Sequence, residues 1–183
     1  MDAMVLWSGD GVLVIGIAAV LPRLEARLRI RAAVRAAAAQ WLKMDIESIS
    51  VESTPGDPPR LLLAGRTAGL SLTHDEGISL AAIHLHGAVG IDVMRVQDIP
   101  DWFSLARDYL GPQVAGELAA CPDAQRPLRL AQAWTAREAV FKCAGLQLKE
   151  WDGVALNCHL QAVETPQNFV ATLATIRGQT RRV

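Results

Sequence analysis

Gly90-Ile91-Asp92 and Trp134-Thr135-Ala136-Arg137-Glu138-Ala139-Val140-Phe141-Lys142 are the two stretches on which the reading of this chain turns. The first sets a carboxylate at the end of an apolar run. The second sets a carboxylate and an ammonium four residues apart, on one face of a helix. They are far apart in sequence, so a fold has to bring them together. Two carboxylates beside a lysine make a metal-assisted phosphate site, because hard oxygens suit Mg2+ and a cation neutralises phosphate charge. Each piece also has an ordinary reading. Asp92 alone is a strand-end acid capping a turn, and Glu138 with Lys142 alone is a surface ion pair worth a few tenths of a kcal/mol. Trp134 and Phe141 fall on the same helical stripe as that pair and favour burial. A charged pair on an apolar face is expensive without partners or a task, and this tips the reading towards function. Gly90 points to a close backbone approach or a bulge.

Working outward, Gly11–Ala19 is rich in Val and Ile and reads as a buried strand. Leu24–Leu42 is Ala- and Arg-rich with helical spacing, and Pro22 sits near its start. Ile46–Glu52 reads as a second strand and Pro55–Pro59 as a loop. Leu70 and Leu72 alternate with Ser71 and Thr73, as on a half-buried strand, and His74–Gly77 reads as a turn. Ile78–His84 and Ala88–Val93 read as strands joined at Gly87, giving an antiparallel meander that ends at Asp92. Beyond it, Asp98–Tyr109, Val114–Ala120 and Leu128–Ala144 read as helices, the last ending near Gly145. Val154–Leu160 and Asn168–Ile176 read as strands. Each half therefore holds strands and helices, without a residue-level repeat.

With 183 residues, 51% hydrophobic and 20% charged, the chain is long enough to bury a real core. A net charge of −1 gives no bulk drive towards nucleic acid. Cys121, Cys143 and Cys158 have no CxxC pairing, which argues against a zinc site or a disulfide framework and for a reducing, cytoplasmic setting. Val12–Leu21 is too short to span a bilayer and lacks a basic segment before it, so neither a membrane span nor a signal peptide is expected. Neither GxxxxGK[ST] nor GxGxxG occurs. His74 reads as an exposed turn histidine or, with the Thr73 hydroxyl beside it, as a phosphate contact. His84 and His86 alternate and point to one face, where they read as surface residues. Arg27, Arg31 and Arg35 line one helical face, either solvated or as an anion-binding stripe.

Leu70-Ser71-Leu72-Thr73-His74, Val89-Gly90-Ile91-Asp92 and Trp134–Lys142 resemble, in that order, the three signature blocks of the 4'-phosphopantetheinyl transferase superfamily. The resemblance is to its surfactin-synthetase-activating type and covers about residues 56–160. It implies an α+β fold of two pseudo-symmetric lobes, each an antiparallel sheet packed with helices, over residues 1–87 and 88–183. Coenzyme A would lie between the lobes of a monomer. The implied reaction moves phosphopantetheine from coenzyme A to a serine of an acyl-carrier or peptidyl-carrier protein and releases 3',5'-ADP. By motif, Asp92 and Glu138 are the expected Mg2+ ligands, with Glu138 or a water it orients as the base. Lys142 is the expected phosphate-neutralising lysine. Thr73 and His74 are expected at the 3'-phosphate end of the coenzyme, and Arg60, after Pro58-Pro59, is a further phosphate candidate.

The chain departs from that pattern at three positions. Met94 stands where the type often has a second acid, so a metal there would have one fewer protein oxygen. Arg137 replaces a lysine before Glu138, and Gln147 replaces a glycine. The alternative reading is a non-catalytic homologue that binds carrier protein or coenzyme A. Retention of Asp92, Glu138 and Lys142 weighs against it.

Overall fold

The computed structural model describes residues 3–54 and 57–176. Pro55 and Gly56 of the expected loop lie outside the described residues. The chain opens with β1 (Met4–Gly9), β2 (Val12–Ala18) and α1 (Arg23–Leu42). Strands β3 (Ile49–Glu52), β4 (Arg60–Leu63), β5 (Arg66–Asp75), β6 (Ile78–His84) and β7 (Val89–Arg95) follow. Helix α2 (Trp102–Leu105) runs into a π-helical turn at Ala106–Leu110, and α3 (Pro112–Ala120) and α4 (Arg126–Cys143) complete the helices. The described chain closes with β8 (His159–Val163) and β9 (Phe169–Thr175). The architecture is α+β, with an antiparallel sheet in the order β1-β2-β6-β5-β4-β3 and a second in the order β7-β9-β8. No helix among the described residues is long and apolar enough to cross a membrane.

The two sheets stack face to face between helices. On β2, Leu13, Ile15 and Ile17 pack with Ile30, Val34 and Ala38 of α1, while Val12 and Val14 pack with Val89, Ile91 and Val93 of β7. This explains why β2 is a continuous apolar run: both of its faces are covered. The same covering corrects the half-buried reading of Leu70–Thr73. Leu70 joins the α1 side, and Ser71 and Thr73 are equally buried on the side of the second sheet. On the far side of that second sheet, α4 packs on β7 and β9 through Ala139, Cys143 and Ala174.

Several other elements differ from the sequence reading. Strand β7 pairs with β9, not with β6, so the expected meander breaks after β6. Ile46–Ser48 is a 3-10 turn capped by the Asp45 side chain, and only Ile49–Glu52 is strand. Strand β5 continues through Asp75, so His74 lies within a strand instead of opening a turn. The helix expected from Asp98 starts at Trp102. Val154–Cys158 is irregular, with β8 starting at His159. His84 is buried and bonds the Ala88 carbonyl at 3.1 Å through Nδ1, while His86 lies past the end of β6. The pair therefore does not form a surface face.

Where β5 outruns β4, its side chains take over the free edge of β7. Ser71 Oγ accepts from the Ile91 N–H at 3.0 Å and Asp75 Oδ2 from the Arg95 N–H at 2.6 Å. The edge amides at 91 and 95 are thus satisfied by side chains instead of a strand ladder.

Gly90 sets the distance between β7 and α4. A Cβ there would lie 1.9 Å from the Ala139 carbonyl oxygen and 2.6 Å from the Cys143 nitrogen, both backbone atoms. Gly90→Ala is expected to lower stability by roughly 3 kcal/mol in urea unfolding, because helix backbone cannot step aside as a side chain can. Gly116→Ala, on the open face of α3 with nothing within 4 Å, is expected to gain about 0.5–1 kcal/mol. Equal effects of the two would contradict the close approach.

Candidate active site

The β5–β7 seam carries the site. Thr73 Oγ1 donates to Asp92 Oδ1 at 2.9 Å, and Lys142 Nζ donates to the same oxygen at 2.6 Å. The ammonium also reaches the Ile91 carbonyl at 3.3 Å. Glu138 Oε2 lies 3.9 Å from Nζ, beyond hydrogen-bond range. Asp92 faces α4 because it shares the strand face of Gly90. Glu138 and Lys142 reach it because one helical turn separates them on α4. Just N-terminal to Glu138, Thr135 is fully buried and bonds Thr172 of β9 at 2.9 Å, which fixes the rotation of α4 over the sheet.

Both carboxyls are held above their ordinary range. Burial is the main cause for Asp92, opposed by Lys142 and by the bonds from Thr73 and Val93. For Glu138 burial comes first and the Asp92 charge second, with Lys142 opposing. One ammonium therefore serves two mutually repelling, partly desolvated acids, a setting that a further cation would relieve.

A cavity of about 580 Å³ opens over these groups, lined by Asp92, Glu138, Lys142, Thr73, His74 and the first turns of α1. From α1 it receives Arg23, Ala26 and Arg27. His74 Nδ1 is 2.9 Å from Ser79 Oγ. Burial, then the charges of Arg27, Arg23, Lys142 and Arg31, lower its pKa, so the ring is neutral at pH 7. The arginine stripe thus divides. Arg23, outside the three-residue stripe, and Arg27 line the cavity. Arg35 instead bonds the carbonyls of Ile49 and Ile46 at 2.8 and 3.0 Å and anchors α1 to the start of β3.

Arg60 is not brought to Thr73 and His74. It lines a second cavity of about 680 Å³ with Pro58, Arg66, His86 and Gly145. The two cavities share Lys142. The single stripe expected for Trp134, Glu138, Phe141 and Lys142 also divides. Trp134 packs with Tyr109 at 5.7 Å between ring centroids, and Phe141 is buried beneath the Arg137 guanidinium at 4.7 Å. Arg137 also stacks over Trp151 at 5.0 Å, so it serves that aromatic cluster and not the carboxylate pair. Met94 is half-buried opposite Val170 and does not line the cavity of Asp92 and Glu138.

A family model of the 4'-phosphopantetheinyl transferase superfamily matches residues 88–180, half of the chain, including Asp92, Glu138 and Lys142. The chain belongs to the 4'-phosphopantetheinyl transferase superfamily. It is similar to the 4'-phosphopantetheinyl transferase HetI of Nostoc sp., with 28% identity over 96 residues, covering 52% of this chain and 38% of that protein. It is also similar to slr0495 of Synechocystis sp., named for the same family, with 25% identity over 119 residues, covering 64% of this chain and 48% of that protein. The chain thus spans less than half the length of each of these curated relatives.

The His74 environment makes a direct prediction. Its folded pKa lies below the ordinary 6.5, so as pH falls the unfolded chain takes the proton first. The stability tied to the neutral ring is whole above pH 6.5 and is lost as pH falls through the folded value. NMR titration should find His74 below 6.5 in the native protein and shifted upward in Arg27→Ala. An unchanged value in Arg27→Ala would separate that arginine from the site.

Proposed function

We propose that this chain transfers the 4'-phosphopantetheine group from coenzyme A to a serine of an apo acyl-carrier or peptidyl-carrier protein, with Mg2+, releasing 3',5'-ADP. The observation that carries this reading is the convergence of Asp92, Glu138 and Lys142, from a strand and a helix about 50 residues apart, on one cavity edged by arginines. The surfactin-synthetase-activating type is the nearest pattern. A monomer suffices, because every group used below lies in one chain.

The donor set fits Mg2+. Asp92 and Glu138 offer hard oxygens, and repulsion between them favours a divalent cation. Among the described residues no group of three or more His, Cys, Asp or Glu is placed to hold a metal ion, so water and phosphate oxygens would complete the shell. When bound, the metal supplies positive charge to the phosphate oxygens at the reacting phosphorus.

The remaining work falls to the chain itself. Lys142 would offset charge growing on the departing 5'-phosphate of 3',5'-ADP. Its salt bridge to Asp92 fixes the ammonium at the junction of the two cavities. Glu138, directly or through a water it orients, takes the proton that the carrier serine releases as it attacks. Its raised pKa brings it closer to the working pH of a general base. Arg23, Arg27 and the positive end of α1 favour an anionic group at the other end of the cavity. In the tautomer whose Nδ1 accepts from Ser79, His74 would carry its proton on Nε2 as a donor to that anion. Arg60 would meet a different part of an extended ligand, in the second cavity.

The deciding experiment incubates apo carrier protein with coenzyme A, Mg2+ and this protein, and reads the intact mass of the carrier. Wild type is expected to add phosphopantetheine, and Glu138→Gln is expected to lower turnover at least ~100-fold. A carboxyl whose folded pKa is raised destabilises the fold once ionised, above its ordinary 4.5. Glu138→Gln should therefore keep or slightly gain stability at pH 7 while losing turnover. Near-normal turnover by the folded variant would remove Glu138 from the chemistry. Coenzyme A binding without carrier modification by wild type would instead select the non-catalytic reading.

A second prediction concerns His74. His74→Ala should raise the KM for coenzyme A more than it lowers kcat, since a remote contact acts through binding. With dephospho-coenzyme A the same variant should lose little. Equal losses with both substrates would place His74 elsewhere than at the 3'-phosphate.

A further inference from the structure

The long irregular segment Ala144–Asn157 joins α4 to β8, and a cysteine stands at each of its ends. Cys143 is the last residue of α4, and Cys158 immediately precedes β8. Although distant in sequence, both belong to one small cluster with Ala139, Val140 and Ala174. Both side chains pack into that one cluster, and neither is in a disulfide. The close approach at Gly90 holds the Cys143 backbone in place, while Cys158 closes the irregular segment just before β8.

We propose that Cys143 and Cys158 are a thiol modification site: a pair that peroxide converts reversibly to a disulfide, closing Ala144–Asn157 into a covalent loop. The oxidant is a peroxide. The Cys158 sulfur attacks one peroxide oxygen, the O–O bond breaks, and a sulfenic acid and water result. The Cys143 sulfur then attacks the Cys158 sulfur, the S–O bond breaks, and the hydroxyl leaves as a second water with the Cys143 proton. In sum, two thiols and one hydrogen peroxide give one disulfide and two waters. The order follows from access. Cys158 is partly exposed, whereas Cys143 is buried, its thiol pushed up to about 12 by burial and by Cys158.

The bridge would affect two walls. The segment carries Trp151, Val154 and Leu156, which cover an apolar cavity of about 300 Å³ against α3 and α4. Its first residues, Ala144 and Gly145, line the larger cavity beside Lys142. Stapling the segment at both ends fixes both walls.

The test treats the full chain with hydrogen peroxide, then maps peptides without reduction and measures the thermal midpoint. The expected product is a Cys143–Cys158 linkage, a mass lower by two hydrogens, and a midpoint raised by about 5–10 °C, since the loop is closed in the unfolded chain too. Dithiothreitol should reverse all three. Cys121→Ser should behave as wild type, while Cys158→Ser and Cys143→Ala should show neither bridge nor shift. Cys158 is partly exposed, so Cys158→Ser keeps the test valid if Cys143→Ala fails to fold. A bridge to Cys121, a disulfide-linked dimer, over-oxidation of Cys158 without a bridge, or no reaction would each overturn the proposal.

Discussion

The Asp92 carboxylate is the point on which this structure depends. It is buried, and a buried carboxylate is tolerated only when its oxygens are satisfied. Two different elements supply that satisfaction: Thr73 from β5 and Lys142 from α4. One charged group therefore joins the six-stranded sheet, the three-stranded sheet and the helix beneath them. Breaking any of these bonds would leave a desolvated charge, which costs more than the bond itself contributes. Burial first and the same charge second raise the pKa of Glu138, so the joint of the fold and the carboxyl pair of the site are one electrostatic problem.

Packing around that joint supplies its precision. Gly90 lets α4 approach β7 at backbone distance, and Thr135 pins the rotation of α4 through Thr172. On the opposite flank, Arg137 is drawn to Phe141 and Trp151. The cation that sequence spacing sets beside Glu138 is thereby removed from it, and Lys142 is left as the ammonium between the two acids. The arginine-edged end of the cavity comes from α1, an element of the other sheet's outer face. Arg23 and Arg27 on one side and Glu138 with Lys142 on the other are thus supplied by helices on opposite sides of the sandwich, and they meet at the end of the β5–β7 seam.

The places where local pattern misled share a cause. Leu70–Thr73 alternates as a strand with one wet face does, yet the second sheet covers the polar face and uses its hydroxyls as edge caps. Val154–Leu160 has the composition of a strand, but Val154 and Leu156 are spent covering an apolar cavity against α3 and α4, and pairing begins only at His159. Strand β1 gives almost no periodic signal, because it is an edge strand with mixed exposure and an irregular register between Val5 and Trp7. The continuous strands β2 and β6 and the long helices α1 and α4 were legible, since a long apolar or helical period survives any arrangement of neighbours.

The sequence by itself determined the identities of Asp92, Glu138 and Lys142 as a candidate set, the helix that spaces the last two, and the family resemblance that the matched residues 88–180 bear out. Only the tertiary structure decided that Thr73 holds Asp92, that Arg23 and Arg27 reach the cavity while Arg35 anchors a strand, and that Arg60 lies in a second cavity. It also decided that both acids are raised, that His74 is lowered and that Cys143 meets Cys158. The division has a physical reason. Periodicity records the character of each side chain along its own element. Hydrogen bonds, charge coupling and desolvation depend on what lies opposite, and that is fixed only when the sheets and helices pack.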